Sequence, residues 1–305
     1  MQALDAHALP SNLRSYAGIL WHRRAGLQDP AAMPRIERSL ADVALQPDWL
    51  KAYRTCVGLP AAQDRAYTPM PPLALQIAAA PLHLAILADP QFPFKALGLV
   101  HTIQRVVQTR ALEAQQRLHL RAYTTRAQWA RRGMTFDLVT EALHQGEVVW
   151  RGETTALAIG MALGAPATAG IAVPSAEVLP PDAPWKQILQ ATVPEPLGRR
   201  YAAIAGDRNP IHQHALLARP FGFPQAIIHG TWTLARALAA ADLPDTPGYS
   251  LQAHFRKPVS LPSRIVVWAR RAAGQDALQV RSEDGSTTHL TVTIIENDAI
   301  KKDQA

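Results

Sequence analysis

The 305 residues are about twice a typical domain, and 48% apolar content suffices for one large core or two modest ones, so two domains are expected. Lysine and arginine number 31 against 24 aspartates and glutamates, and the resulting +7 favours an acidic partner: nucleic acid, an anionic membrane or a phosphorylated small molecule. The basic residues lie in scattered pairs (Arg131-Arg132, Arg199-Arg200, Arg256-Lys257, Arg270-Arg271), which gives a nucleic-acid module little support.

Cys56 is the single cysteine, which excludes an intrachain disulfide, a CxxC pair and a thiolate metal cluster, and fits a reducing compartment such as the cytoplasm. The opening MQALDAHALPSNLRSY has no basic segment followed by a long apolar run and reads as a leader, not an export signal. LKAYRTCVGLP (50–60) follows, then PPLALQIAAAPLHLAILADP (71–90). The latter is the most apolar segment, but Pro81 and His83 interrupt it short of the roughly 20 apolar residues of a membrane span, so it predicts a buried helix. LVHTIQRVV (99–107) alternates like a strand. The Ala-, Pro- and Gly-rich segment 164–184 reads as a connector.

The second half repeats this plan. RRYAAIAGDRNP (199–210) places a glycine five residues after a tyrosine, Tyr201 to Gly206, as the first half does from Tyr53 to Gly58. An apolar helix-like segment, AIIHGTWTLARALAAA (226–241), then precedes strand-like runs: YSLQAHF (249–255), RIVVWARR (264–271), ALQVRSE (277–283) and TTHLTVTIIE (287–296). Strands clustered after one helix predict an α+β fold, with two units each an antiparallel sheet against a long helix. The units are bounded at 1–163 and 185–305. Neither G-x-G-x-x-G nor P-loop spacing is present, so a dinucleotide fold and a phosphotransferase lack a motif.

AIAGDRNPIHQHALLA (203–218) concentrates the chemistry. A helix stop at Gly206 and an Asp-Arg-Asn-Pro turn would explain part of it. That reading leaves out His212 five residues after Asp207, and the loss of acid, amide and imidazole from the matching GLPAAQ of the first half. Read as Y-x-x-I-x-G-D-x-N-P-I-H-x(5)-A, followed by G-F-x-x-x-I-x-H-G, the segment resembles the signature of MaoC-like (R)-specific enoyl-CoA hydratases, which have the hot dog fold. Tyr201, Ile204, Gly206, Asp207, Asn209, Pro210, Ile211, His212, Ala218, Gly222, Phe223, Ile228, His229 and Gly230 fill the motif, while Ala205 and Thr231 depart from it. The first half resembles the degenerate partner unit of double hot dog members.

The resemblance implies hydration of a trans-2-enoyl thioester to the (R)-3-hydroxyacyl thioester, reversibly and without cofactor. This needs a base for water, an acid for the α-carbon and a donor to the enolate oxygen. Asp207 and His212 supply the first two, in an order the residues leave open. Asn209 orients the water or the turn, and Gly230 opens a helix whose first N–H faces the thioester oxygen. Tyr201 and His229 are candidate substrate contacts, His229 with helix-start packing as the alternative. Arg256 and Lys257 are candidates for the phosphates of coenzyme A or of an acyl carrier protein's arm, with a solvated strand end as the alternative. His83, His101 and His254 read as core residues, and the scattered histidines give a metal site no ligand spacing. A hot dog thioesterase and a silent acyl-binding protein are the rival functions, and a homodimer is possible.

In the first unit Leu59 aligns with Asp207, Ala61 with Asn209 and Asp64 with His212, which predicts one active site only. Pro81 should bend or break that unit's helix. The space so left, lined by Leu75, Ile77, Leu82 and Leu84, is expected to take an acyl tail longer than four carbons.

Overall fold

A computed structural model of the chain describes residues 19, 24, 26–60, 69–159, 183–242, 248–272 and 274–296. The leader (1–16), Ala61, Asp64 and all but the last two residues of the expected connector lie outside the described residues.

Helix α1 (Pro47–Val57) begins on a proline, whose fixed φ suits a first helical turn, and ends at Gly58 with φ +75°. Trp49, Leu50, Tyr53 and Val57 form its buried stripe. Four strands follow the first-half helices: β2 (Leu99–Gln108), β3 (Leu118–Ala130), β4 (Gly133–His144) and β5 (Glu147–Ile159), with β1 (Glu37–Val43) before α1. The second half repeats the order: β6 (Lys186–Val193), then α4 (Leu197–Ala205), ending at Gly206 with φ +70°, then α5 (Ala215–Ala218) and α6 (Gly230–Ala241). Strands β7 (Tyr249–Phe255), β8 (Ser263–Ala272), β9 (Gln275–Ser282) and β10 (Thr288–Glu296) complete it.

The ten strands form one antiparallel sheet in the order β1-β3-β4-β5-β2-β7-β10-β9-β8-β6. The second five mirror the first five, so the halves meet through their equivalent strands, β2 on β7, with Ile103 opposite His254 and Gln108 opposite Tyr249. Two indoles tie the helices across the seam: Trp49 Nε1 donates to the Ile204 carbonyl (2.9 Å) and Trp232 Nε1 to that of Cys56 (3.0 Å). One continuous apolar core runs through both halves.

The two long apolar segments fold differently. In the second half, α6 is unbroken and buries Trp232, Leu234, Ala235, Leu238 and Ala241. It starts at Gly230, the helix opening that the motif implies; residues 226–229, the first part of the apolar segment, are extended, with Ile228 N–H on the Val259 carbonyl (2.9 Å). In the first half Ala79 leaves helical geometry (φ −77°, ψ 2°), giving two short helices, α2 (Ala74–Ala78) and α3 (Ala80–Ala88). Pro81 is the cause: it lacks an N–H, and its ring excludes a helical carbonyl four residues back, at Ile77. The break does not open the expected space. Leu75, Ile77, Leu82 and Leu84 are all buried, because α3 still packs on β1 and β3, and none of the four lines the cleft described below.

Candidate active site

The turn after α4 is built by its own side chains. Gly206 adopts the left-handed conformation that ends the helix, and Asp207 Oδ1 accepts the Asn209 N–H (3.0 Å). Asn209 Oδ1 then accepts the Ile211 N–H (3.3 Å), capping a 3-10 turn, Pro210–His212, that begins on proline. Asn209 therefore holds the turn. This reverses the chain so that His212 faces Asp207.

His212 Nδ1 donates to the Ile227 carbonyl (2.8 Å); a carbonyl only accepts, so the proton sits on Nδ1 and Nε2 keeps its lone pair. That Nε2 lies 3.9 Å from Asp207 Oδ2. His229, just before α6, stacks on His212 with ring centres 3.7 Å apart. Its Nε2 donates to the backbone carbonyl of Asp207 (3.0 Å) and lies 3.8 Å from the carboxylate. The two imidazoles are buried, whereas the Asp207 side chain is 51% exposed and opens onto the cleft. Gly230 contributes the first N–H of α6, and among the described residues no acceptor meets it. A side chain at Gly230 would lie 3.0 Å from the Phe255 ring.

Burial and charge set the protonation states. Burial pushes the Asp207 carboxyl up, but His229, His212 and the Asn209 N–H together outweigh it and hold the group below its ordinary range. Burial lowers His212 against the opposing pull of Asp207. His229 is pushed down to about 3, by burial first and by His212 second. At neutral pH the cluster is thus a carboxylate beside two neutral imidazoles. One donor atom each from Asp207, His212 and His229 lies within 4.8 Å of the others, the spacing of a cation site. The His229 Nε2–H is already given to the Asp207 carbonyl, which removes that nitrogen from a ligand set in this tautomer.

The cleft over these groups has a volume of about 810 Å³, and both halves wall it. From the second half come Asp207, Asn209, His212, His229, Gly230, Phe255, Arg256 and Lys257. The first half supplies Phe94, Lys95, Leu99, His101, Ala158 and Ile159, none expected as site residues. His101, expected in the core, is half-buried in that wall, its ring 4.5 Å from Phe255 and its basicity lowered to about 4 by burial. Its place at the start of β2, two residues after Leu99, was the available signal. Tyr201 is corrected: it is fully buried, donates to Thr231 Oγ1 (3.2 Å) and sets its ring against His229 (5.1 Å), so it braces the site without facing the cleft. Arg256 and Lys257 follow β7 as exposed side chains on the cleft wall.

A MaoC-like domain matches residues 177–293, the half that holds this turn. Over 266 residues the chain is 31% identical to 3-hydroxyacyl-thioester dehydratase X of Mycobacterium tuberculosis, covering 86% of this chain and 90% of that protein. The chain belongs to the MaoC-like dehydratase family. The crystal structure of HtdX from the same organism superposes with a TM-score of 0.70 at 26% identity, covering 86% of this chain and all of that one. A second M. tuberculosis protein, described as having a double hot dog fold, gives 0.55 at 13% identity, over 92% of this chain and 99% of that one. The mirrored ten-stranded sheet is that fold, and the activity class is that of a hydro-lyase. Among the described residues no helix is long and apolar enough to cross a membrane.

Proposed function

We propose that the cleft hydrates trans-2-enoyl thioesters to (R)-3-hydroxyacyl thioesters, and the reverse, with one catalytic centre in residues 185–305 and residues 1–163 as its supporting unit. The observation that carries this reading is the Asp207–His212 pair. At 3.9 Å it is too far apart for a direct hydrogen bond, but it fits two acceptors converging on one water at about 2.8 Å from each. The water oxygen adds to the β-carbon as His212 Nε2 takes one of its protons, and Asp207, still ionised, stabilises the imidazolium. Electron density moves to the thioester oxygen, where the Gly230 N–H and the positive end of α6 receive it. The enolate then collapses, and His212 returns the same proton to the α-carbon, restoring the neutral ring.

His229 acts as a positioning residue: its Nε2–H fixes the Asp207 backbone while its face fixes the His212 ring. The acyl chain runs along the first-unit wall of Phe94, Leu99 and Ile159, in place of the buried leucines of α2 and α3. Arg256 and Lys257 meet phosphate at the mouth. Loss of the enoyl absorbance of crotonyl-CoA and longer trans-2-enoyl-CoAs, coupled to an (R)-specific hydroxyacyl dehydrogenase, tests reaction and stereochemistry together. Dehydrogenase turnover is expected; product that only an (S)-specific enzyme oxidises, or release of free thiol, contradicts the reading.

A further inference from the structure

We propose that an apolar ledge beside the cleft mouth, flanked by unpaired cations, docks an acidic carrier protein that presents its acyl thioester on a phosphopantetheine arm. This rests on reading the cleft as a site for acyl thioesters. The ledge is the short helix α5 and the 3-10 turn after it, Arg219–Phe221. His214 Nδ1 takes the Leu216 N–H (3.2 Å) to start α5, and Ala218, fully buried, anchors it. That anchoring turns Leu216 and Leu217 outward. At 62% and 50% exposure they are the two most exposed large apolar side chains among the described residues, and Phe221, 38% exposed, continues the patch into the cleft wall.

Charge favours an acidic occupant. Arg219, Arg256 and Lys257 have no carboxylate within ion-pair distance among the described residues. Asp207, deep in the site, is the one acid of the described cleft lining. The phosphates of coenzyme A would satisfy cations at the mouth, but a nucleotide leaves the two leucines bare, since neither lines the cleft. A protein surface buries them: the apolar contact holds the partner, and the cations steer it and set its orientation. The arm then carries the thioester past Phe221 to Gly230.

The test uses one trans-2-enoyl group on two carriers, coenzyme A and a phosphopantetheinylated acidic carrier protein, with the wild type, Leu216→Asp/Leu217→Asp and Arg219→Glu. For the carrier ester, kcat/KM is expected to fall by about tenfold or more through KM, as for loss of interface anchors, while the coenzyme A ester stays within about twofold. Calorimetric binding of the acylated carrier should weaken in both variants and with added salt. Equal effects on the two esters, no effect on either, or a change in oligomeric mass on substituting the leucines overturns the proposal, the last by assigning the ledge to a second copy of the chain. Arg219→Glu keeps the test valid should the double variant misfold. A wild type that binds the carrier yet hydrates neither ester contradicts the reaction and leaves docking standing. One that hydrates only the coenzyme A ester and binds no carrier overturns docking alone.

Discussion

The turn after α1 and the turn after α4 share a frame and differ in content. Both helices end on a left-handed glycine five residues after a buried tyrosine, Gly58 (φ +75°) and Gly206 (φ +70°). After Gly58 comes Leu59, which only closes the helix with its N–H on the Arg54 carbonyl (2.9 Å). After Gly206 comes Asp207, whose carboxylate faces the cleft. The helices that follow differ the same way, one broken at Ala79 and one continuous from Gly230 with its first N–H free for substrate. The halves also lean on each other: a side chain at Gly206 would meet the Ala80 methyl at 3.4 Å, so the joint of the broken helix backs the Asp207 turn. The duplicated frame thus carries the acid, the amide and the imidazole in one of its two turns.

The largest effect expected from breaking that asymmetry is at His212. His212→Ala should lower kcat for hydration by about 10²-fold or more, the scale of lost acid–base catalysis, with the fold retained but the thermal unfolding midpoint lowered, because the buried ring leaves His229 unstacked and the Ile227 carbonyl without its donor. His229→Phe keeps the stacking surface but deletes the bond to the Asp207 carbonyl. A drop in kcat of about fivefold with KM unchanged, partly restored by His229→Gln, would fit loss of one hydrogen bond of about 1 kcal/mol. The glycines give the sharpest contrast. Gly58→Ala and Gly206→Ala each force a methyl-bearing residue into the left-handed region and should each cost about 1–2 kcal/mol by denaturant unfolding, yet only Gly206→Ala should lower turnover.

The pH profile sharpens the same picture. In the proposed mechanism neutral His212 is the active form, so the rate should be full above its pKa and lost as pH falls through it; because burial lowers that pKa, the acid limb should lie below the ordinary 6.5. Asp207 pulls His212 upward, so Asp207→Asn should move the limb of the residual rate to lower pH still. A limb at or above 6.5 in the wild type would show that a different group titrates.

The strands were legible because alternation is local: YSLQAHF and RIVVWARR gave β7 and β8 to within a residue. The turn chemistry was legible because Asp207, Asn209, Pro210 and His212 lie within six positions and cap one another. The start of α6 at Gly230 was legible from the motif and not from apolarity, since residues 226–229 are as apolar as the helix they precede and the Val259 and Ile211 contacts make them extended. The first-unit wall was missed. Leu99 reads as an ordinary strand start until the β2–β7 seam brings it, with Ile159, into one cleft with Asp207. Tyr201 carries a motif position without touching the cleft, because its role passes through Thr231 and His229.

The proposed reaction requires a single centre in which Asp207 and His212 share one water. Single-turnover hydration of crotonyl-CoA by Asp207→Asn, against wild type of equal thermal stability, tests it most directly. The predicted result is a loss of about 10²-fold or more in the chemical step with substrate affinity retained. A rate within about tenfold of wild type would contradict the claim, since His212 would then activate the water without the carboxylate.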